Sequence, residues 1–386
     1  MSQGRVAYVC ADPGIPPDSS KGASVHFRTM AAALARIGVP LDVFMTRDGE
    51  VSGFAPNRAR IVPTPRQRGI AGEVLQLGHS GTLLTALAAA GPHVAVYERL
   101  SLFASAGLAH ARSLGVPFVV EVNAPLWLEA AAFRSLHLGG TAQALCIDVL
   151  RNADAVLAVS KELAELLIQT GAPRDRVHVL GNGADLHAFQ SAKPQPRPKQ
   201  LQGKPVLLFA GSLKPWHGVE FLLEAFAALR QKMQCGLWVI GEGPTKDAVV
   251  RAQQRMPDDI VYQGPIEHEE MPAFLASADA ICAPYPKSAP SYFSPLKIVE
   301  GLAARRPLIA SKVPCVLGEL PGNNQHLRGL FEPDDIESFV AAAARVLADP
   351  KGSLAEESLV AALDWTEKAR WVKPHLERLA TEPAHG

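Results

Sequence analysis

The chain has 386 residues, which is enough for two or three domains. Apolar residues make up 48% and charged residues 20%, a globular composition that argues against a disordered or fibrous protein. Lysine and arginine total 38 and aspartate and glutamate total 38. The chain therefore lacks the basic surplus of proteins that coat a nucleic-acid duplex, and we expect no nucleic-acid partner.

The cysteines and the apolar segments indicate a cytosolic protein. The five cysteines are scattered and form no Cys-x-x-Cys pair, which argues against a disulfide framework or a structural zinc site. The apolar run before Asp12 is shorter than that of a signal peptide. Residues 74–97 lack charges, but their glutamine, histidines, proline and glycines predict strand and helix pieces rather than a membrane span. The expected compartment is the reducing cytosol.

Strand and helix patterns alternate through the first half of the chain. Apolar runs typical of strands occupy residues 6–11, 41–45, 94–98, 117–122, 155–160 and 177–180. Helical patterns occupy about 24–37, 103–113 and 161–170, and glycines follow the first and the last of them. Apolar strands separated by amphipathic helices predict a parallel sheet that is covered on both faces.

The composition changes at residues 191–205, which contain four prolines and four basic residues but no acid, and which we predict to be a linker. The alternation then resumes, with strands at 206–211, 237–241, 260–264, 280–285 and 307–311. The sequence thus predicts two doubly wound α/β domains, 1–190 and 206–363, that face a central cleft. Ligands of such sheets bind at the carboxyl ends of the strands. The tail, 364–386, has helical spacing and is expected to pack back on the first domain.

The segment SPLKIVE, at 294–300, combines a helix start with a cation. Serine is favoured at the N-cap and proline at the first helical position, so Ser294 and Pro295 predict a helix that begins there. Helix N-termini attract anions. Lys297 in the first turn disfavours the helix itself, and an anionic ligand would explain it, while Glu300 could accept from a hydroxyl group. A capped surface helix with a solvated Lys–Glu face is an equal alternative.

Two strand-to-helix loops carry further candidates. FAGSLKPWHG, at 209–218, places Ser212, Lys214 and His217 at the carboxyl end of a strand, although His217 alone is more typical of a structural histidine. In the loop 12–26, Gly22 would allow a ligand to approach the backbone closely, and Ser24 could cap the helix that follows. Neither GxGxxG nor GxxxxGK[ST] occurs, which argues against dinucleotide-binding and P-loop enzymes.

These segments, in this order, resemble the family 4 glycosyltransferases of the GT-B fold. The segments that carry the resemblance are KGASVH, ADAVLAVSKEL, VHVLGNGADLHAF, LLFAGSLKPWHGVEFLLEAF, LWVIGEGP, VYQGPIEHEEMPAFLASADAICAPY and YFSPLKIVEGLAARRPLIAS. They cover nearly the whole chain, and the PWHG and SPLK segments resemble one branch of the family.

The resemblance implies transfer of a sugar from a nucleotide donor, UDP- or GDP-linked favoured, to a glycan, lipid-linked or small-molecule acceptor. It also implies retention at the anomeric carbon, no metal and no other cofactor. Glu300 would bind the ribose, residues 294–297 the diphosphate and 264–266 the base. The implied donor-binding residues are Gly22, Ala23, Gly211, Ser212, His217, Gly241, Gly264, Pro265, Ile266, Tyr292, Phe293, Ser294, Pro295 and Leu296. The implied catalytic residues are Lys214, Lys297, Glu300 and Asn123.

Three positions depart from the family pattern. Tyr292 replaces the first glutamate of the E-x7-E motif, and Ser212 and His217 replace the usual phosphate-binding arginine and lysine. We expect Lys214 and Lys297 to substitute for that pair. Two alternatives therefore stay open: a GT-B sugar-nucleotide epimerase and a catalytically silent nucleotide-sugar-binding or scaffold protein.

Asn123 stands where many members of the family have a histidine. An amide orients a hydroxyl group but is not a base at neutral pH. A retaining front-face reaction needs no strong protein base, because the departing phosphate can accept the acceptor's proton.

Four arginines indicate a surface for membranes. Arg58, Arg60, Arg66 and Arg68 lie in the segment 55–72, which contains no acid. They predict peripheral contact with anionic lipid at the inner face of the membrane. A solvated loop that contacts no membrane is the simpler alternative and is favoured over lipid contact.

Overall fold

The computed structural model describes residues 4–19, 21–65, 67–133, 135–320 and 327–377. The chain divides into two compact units. Unit 1 comprises Met1–Gly181 and Trp365–Gly386, and unit 2 comprises Asn182–Asp364. No helix within the described ranges is both long and apolar enough to cross a bilayer.

Unit 1 is built around a parallel sheet. Its strands are β1 (Arg5–Cys10), β2 (Leu41–Met45), β3 (Arg58–Ile61), β4 (His93–Arg99), β5 (Phe118–Val122), β6 (Ala155–Ala158) and β7 (Val177–Val179). Its first six helices are α1 (Gly22–Arg36), α2 (Gly69–Ala89), α3 (Ala106–Leu114), α4 (Leu126–Phe133), α5 (Gly139–Asn152) and α6 (Lys161–Thr170). The strand order is β3-β2-β1-β4-β5-β6-β7. Every residue of β2 and β5 is buried, as a sheet with both faces covered requires.

Unit 2 repeats this plan with six strands. They are β8 (Val206–Ala210), β9 (Gly236–Ile240), β10 (Ile260–Gly264), β11 (Ala280–Ala283), β12 (Leu308–Ser311) and β13 (Leu330–Phe331). The helices are α7 (Leu186–Ser191), α8 (Val219–Lys232), α9 (Lys246–Arg255), α10 (Met271–Ala276), α11 (Leu296–Ala303), α12 (Pro314–Leu317), α13 (Ile336–Ala348) and α14 (Glu357–Ala361). The order is β10-β9-β8-β11-β12-β13, so the strand order reverses between β8 and β11. Doubly wound sheets bind ligands at such a switch point.

The last described helix, α15 (Trp365–Glu377), belongs to unit 1. Its buried residues Trp365, Ala369, Val372 and Leu376 share a hydrophobic core with residues of β1 and α1. The predicted return of the tail to the first domain is therefore confirmed. Leu379, which the spacing also places on this apolar stripe, lies outside the described residues.

The observed division differs from the predicted boundaries at 190 and at 191–205. Residues 182–205 belong to unit 2. Arg197 contacts the Asp279 carboxylate at 2.9 Å and donates to the Ser277 carbonyl at 2.8 Å, and Leu201 is fully buried. The segment predicted to be a linker is thus a packed part of unit 2. Its prolines fix an extended path, and composition alone does not distinguish such a path from a free linker.

Candidate functional site

The loops that follow β8 and β11 touch at the carboxyl edge of the unit 2 sheet. Gly218 has a φ of +73°, and a Cβ on it would lie 1.6 Å from the Pro284 carbonyl oxygen. This close approach holds the turn Pro215–His217 against the chain that leaves β11. The contact lies at the switch point of the sheet, where a ligand is expected.

Lys297 on α11 is a buried cation at this edge. The residue is 7% exposed, and its Nζ lies 3.8 Å from the centre of the Phe209 ring and 5.1 Å from that of Tyr285. Within the described part of the chain, Nζ has no hydrogen-bond partner. Burial lowers the pKa of Lys297 to about 7. Since an ammonium buried without hydrogen bonds is costly, an anion held here would be strongly favoured.

His217 is also buried, but it is neutral. Its Nδ1 lies 2.6 Å from the Ser212 carbonyl oxygen, so Nδ1–H donates there and Nε2 keeps its lone pair. Its ring packs against Tyr285 and Phe293 at 5.6 Å and 5.9 Å between ring centres. Burial, with the charges of Lys297 and Lys214, lowers the pKa of His217 to about 3. In the free protein His217 therefore adds no positive charge to this edge.

Lys214 differs from Lys297 in its exposure. It lies on the surface of the loop after β8, with Nζ 4.9 Å from the centre of the Trp216 ring. An exposed ammonium costs the fold little free energy, and its side chain can rotate toward an anion. Of the two predicted cations, only Lys297 is fixed by burial.

Glu300 lies one turn beyond Lys297 and contacts a histidine that the sequence analysis missed. Its Oε1 is 3.1 Å from Nε2 of His268, and the two side chains are 12% and 25% exposed. His268 lies in a short turn four residues after Gly264, which ends β10 with a φ of +80°. A polar residue shortly after the carboxyl end of a strand is the signal that could have revealed His268. Glu300 and the segment 264–268 thus adjoin the same point of the edge.

The predicted cap of α11 is wrong. The helix begins at Leu296, and Pro295 occupies the N-cap position with an extended backbone. Ser294 is therefore one residue too early to cap the helix. Its hydroxyl accepts a hydrogen bond from Nδ2 of Asn182 at 2.6 Å and donates to Glu319.

Other predicted donor-binding residues of unit 2 lie at or near the carboxyl edge of its sheet. Gly241 has a φ of +133°, and a Cβ there would lie 1.9 Å from the Gly211 carbonyl oxygen, so the ends of β8 and β9 approach closely. The Phe293 and Tyr285 rings lie 5.9 Å apart. Tyr292, Ile266 and Leu296 are half-buried, and Pro265 is exposed.

Unit 1 has its own group of predicted residues. The expected Ser24 cap is wrong, because α1 begins at Gly22 after Lys21, and Ser24 is buried inside the first turn. Ala23 is half-buried. Asn123 follows β5, and its Oδ1 is buried without a hydrogen-bond partner among the described residues.

A buried network that the sequence analysis missed lies two residues before Asn123. The Glu121 carboxylate contacts Nε2 of His26 at 2.7 Å and accepts from the Tyr97 hydroxyl at 2.5 Å. Burial raises the pKa of Glu121, but His26, Arg99 and Tyr97 outweigh burial and hold this pKa at about 2. The network ties α1 to the carboxyl ends of β4 and β5.

Family models match most of the chain. The Glycosyltransferase Family 4 model matches residues 20–188, and the Glycosyl transferases group 1 model matches residues 204–349. Both models describe glycosyltransferases, and each matches less than half of the chain. The first model spans most of unit 1, and the second lies within unit 2. Within the described ranges, no group of three or more His, Cys, Asp or Glu side chains is arranged to hold a metal ion.

Individual curated relatives have low sequence identity to this chain. MMP alpha-(1->4)-mannosyltransferase of Mycolicibacterium hassiacum is 29% identical over 208 residues, which are 53% of this chain and 47% of that protein. This chain spans about half the length of the first curated relatives that it matches.

Solved structures share the fold over nearly the full length. Sucrose-phosphate synthase from Thermosynechococcus elongatus superposes with a TM-score of 0.75 at 19% identity, covering 98% of this chain and 99% of that one. HepE from Anabaena in complex with UDP gives 0.69 at 14% identity, covering 97% and 100%. The GT-B fold predicted from the sequence is confirmed.

Proposed function

We propose that this protein transfers a sugar from a nucleotide-sugar donor to a hydroxyl group of an acceptor, with retention at the anomeric carbon and without a bound metal. The observation that carries the proposal is Lys297, a buried ammonium without a hydrogen-bond partner among the described residues. A nucleoside diphosphate supplies the missing partner, since charge-assisted hydrogen bonds to phosphate are strong. A UDP- or GDP-linked donor is favoured.

We propose the remaining roles, and the positions of the residues support them. Lys297 and the N-terminal turn of α11 stabilise the departing diphosphate, where negative charge develops in the transition state. Glu300 accepts hydrogen bonds from the ribose hydroxyls, and residues 264–266 lie beside the base. Lys214, which is exposed, joins the phosphates as the donor binds. Asn123 orients the acceptor hydroxyl.

The reaction balances without a protein base. The bond between the anomeric carbon and the phosphate oxygen breaks while the acceptor oxygen bonds to the same face of that carbon. The acceptor's proton passes to the departing phosphate oxygen. Neutral Asn123 is compatible with this route, since it needs only to hold the hydroxyl in place.

Calorimetric titration with UDP, GDP, ADP and dTDP, each with and without magnesium, tests the donor site. We expect one of them to bind selectively and equally well without magnesium. Glu300→Gln should weaken that binding by roughly 10- to 100-fold, because a charge-assisted hydrogen bond is worth about 1.5–3 kcal/mol. Absence of binding by all four would refute the proposal, and unchanged affinity of Glu300→Gln would refute the ribose role.

We also propose peripheral contact with anionic lipid through unit 1. Arg58 and Arg60 are exposed on β3, Arg68 is exposed just before α2, and Arg66 lies outside the described residues. The next exposed face of α2 carries Ile70, Val74 and Leu77, which are 54%, 52% and 36% exposed. The only acid of α2, Glu73, is buried against the backbone amides of residues 137 and 138. An uncharged apolar face beside arginines suits an anionic bilayer surface.

Co-sedimentation with vesicles tests the lipid contact. Wild-type protein should sediment with anionic vesicles and not with neutral ones, and replacing the four arginines with glutamine should lower binding at least fivefold. Each basic residue near an anionic surface contributes about 1 kcal/mol. Replacing exposed Arg251 and Arg255 of α9 with glutamine is the matched control. If both variants bind the anionic vesicles equally well, the arginines belong to a solvated loop and not to a lipid contact.

A further inference from the structure

The contact between His268 and Glu300 joins two segments that meet the proposed nucleotide from different sides. Glu300 is on α11, and His268 follows β10. The carboxylate can only accept, so His268 donates from Nε2 to Oε1 across 3.1 Å. Within the described residues, Oε2 of Glu300 has no hydrogen-bond partner. One oxygen is therefore held by the protein, and the other is available to a ligand.

The turn that carries His268 is itself fixed. Glu267 and Glu270 form a reciprocal capping box, in which each side chain accepts from the other residue's backbone amide. The turn leads directly into α10, whose Phe274 and Leu275 are buried. A histidine on such a support holds its hydrogen-bond donor in one place. The direction of the Glu300 carboxylate is thus set from outside its own helix.

We propose that His268 is a positioning residue, which fixes the Glu300 carboxylate for the ribose of the donor and so sets a preference for ribonucleotides over 2′-deoxyribonucleotides. The inference rests on the proposed function. A carboxylate already held in direction loses little freedom when it binds, whereas a freely rotating one must be immobilised first. A polar group left unpaired by a missing hydroxyl is strongly disfavoured in a site built for that hydroxyl. Removing His268 should therefore act on the ribose hydroxyl more than on the phosphates or the base.

The test is calorimetric titration of the full-length protein with UDP and 2′-deoxy-UDP, or with the corresponding GDP or ADP pair if that base binds better. The variants are H268A, H268Q, E300Q and the control E269Q, which changes an exposed acid beside His268. Wild type should prefer the ribonucleotide at least tenfold. H268A should bind the ribonucleotide at least fivefold more weakly and the deoxy form within twofold of wild type. H268Q can still donate and should retain the preference within twofold, as should E269Q.

The outcomes separate this inference from the function on which it rests. Equal losses of both nucleotides in H268A, or a full ribose preference in H268A, would overturn the role of His268. If E300Q loses the preference while H268A keeps it, Glu300 retains its ribose role and only His268 is excluded. Failure of every nucleotide to bind wild type would overturn the proposed function and this inference together.

Discussion

Replacement of Lys297 by methionine is expected to weaken nucleoside diphosphate binding by roughly 10- to 100-fold, equivalent to the about 1.5–3 kcal/mol of a charge-assisted hydrogen bond. Binding of the nucleoside alone should change less than threefold, since the nucleoside lacks the phosphates. Methionine fills a similar volume and keeps the contacts with the Phe209 and Tyr285 rings. The measurement is calorimetry with UDP and uridine, or with the pair of the preferred base. Lys214→Met, which removes an exposed cation from the loop after β8, is the matched control and should have the smaller effect.

The same substitution should stabilise the fold at neutral pH. Burial lowers the pKa of Lys297 from 10.5 to about 7, so between these values the unfolded chain binds more protons and stability rises with pH. At pH 7 and below, the buried charge of Lys297 opposes folding. Methionine should therefore raise the free energy of unfolding by about 1–3 kcal/mol. This gain lies within the limit of roughly 1.4 kcal/mol per pKa unit that linkage sets. The gain should shrink toward pH 10. A melting temperature that falls in Lys297→Met at pH 7 would contradict the burial cost.

The pKa of Lys297 also links donor binding to protons. A bound diphosphate raises this pKa, because an adjacent negative charge favours the ammonium. Above pH 7 the free protein must then take up a proton as the ligand binds, and diphosphate affinity should fall between pH 7.5 and 9. Calorimetry in buffers of different ionisation enthalpy measures this uptake. Lys297→Met should abolish it, whereas proton uptake that persists in this variant would assign it to another group.

The fold could be predicted from the sequence because its strands are buried on both faces. The apolar run 206–211 corresponds to β8, Val206–Ala210, and the glycine at 211 marks the end of the strand. Such runs are visible without any knowledge of tertiary contacts. The cap predictions failed because capping depends on backbone angles next to the helix. Pro295 and Lys21 take the N-cap positions that were assigned to Ser294 and Ser24.

The site could be predicted only in part for a related reason. A lysine in the first turn of a helix indicates an anion, but its burial against Phe209 of the distant strand β8 follows from packing alone. The partnership of His268 with Glu300 spans 32 residues and two elements. No local pattern encodes such a pairing, so the histidine stayed unnoticed within its segment. The neutral state of His217 likewise follows from its burial and from the charge of Lys297, which only the folded chain brings near it.

Gly218→Ala should cost about 3 kcal/mol or more and disrupt the nucleotide site. The residue has a φ of +73°, a left-handed conformation that costs an L-residue roughly 1–2 kcal/mol. In addition, its Cβ would lie 1.6 Å from the Pro284 carbonyl oxygen, and a backbone carbonyl cannot rotate away as a flexible side chain can. The loops after β8 and β11 must then separate, which moves His217 away from the Tyr285 ring. Melting temperature and diphosphate affinity measure the two effects.

Gly203→Ala is the matched control for the Gly218 prediction. Gly203 also lies in unit 2, has a φ of +75°, and would place its Cβ with nothing within 4 Å. It therefore carries the backbone strain without the collision. We expect Gly203→Ala to lower the melting temperature by about 2–4 °C per kcal/mol of strain, and Gly218→Ala by at least about 6 °C. At a temperature where both are folded, Gly203→Ala should bind the diphosphate within twofold of wild type and Gly218→Ala at least tenfold more weakly. Equal shifts in the two variants would mean that the contact with Pro284 does not hold the loops together.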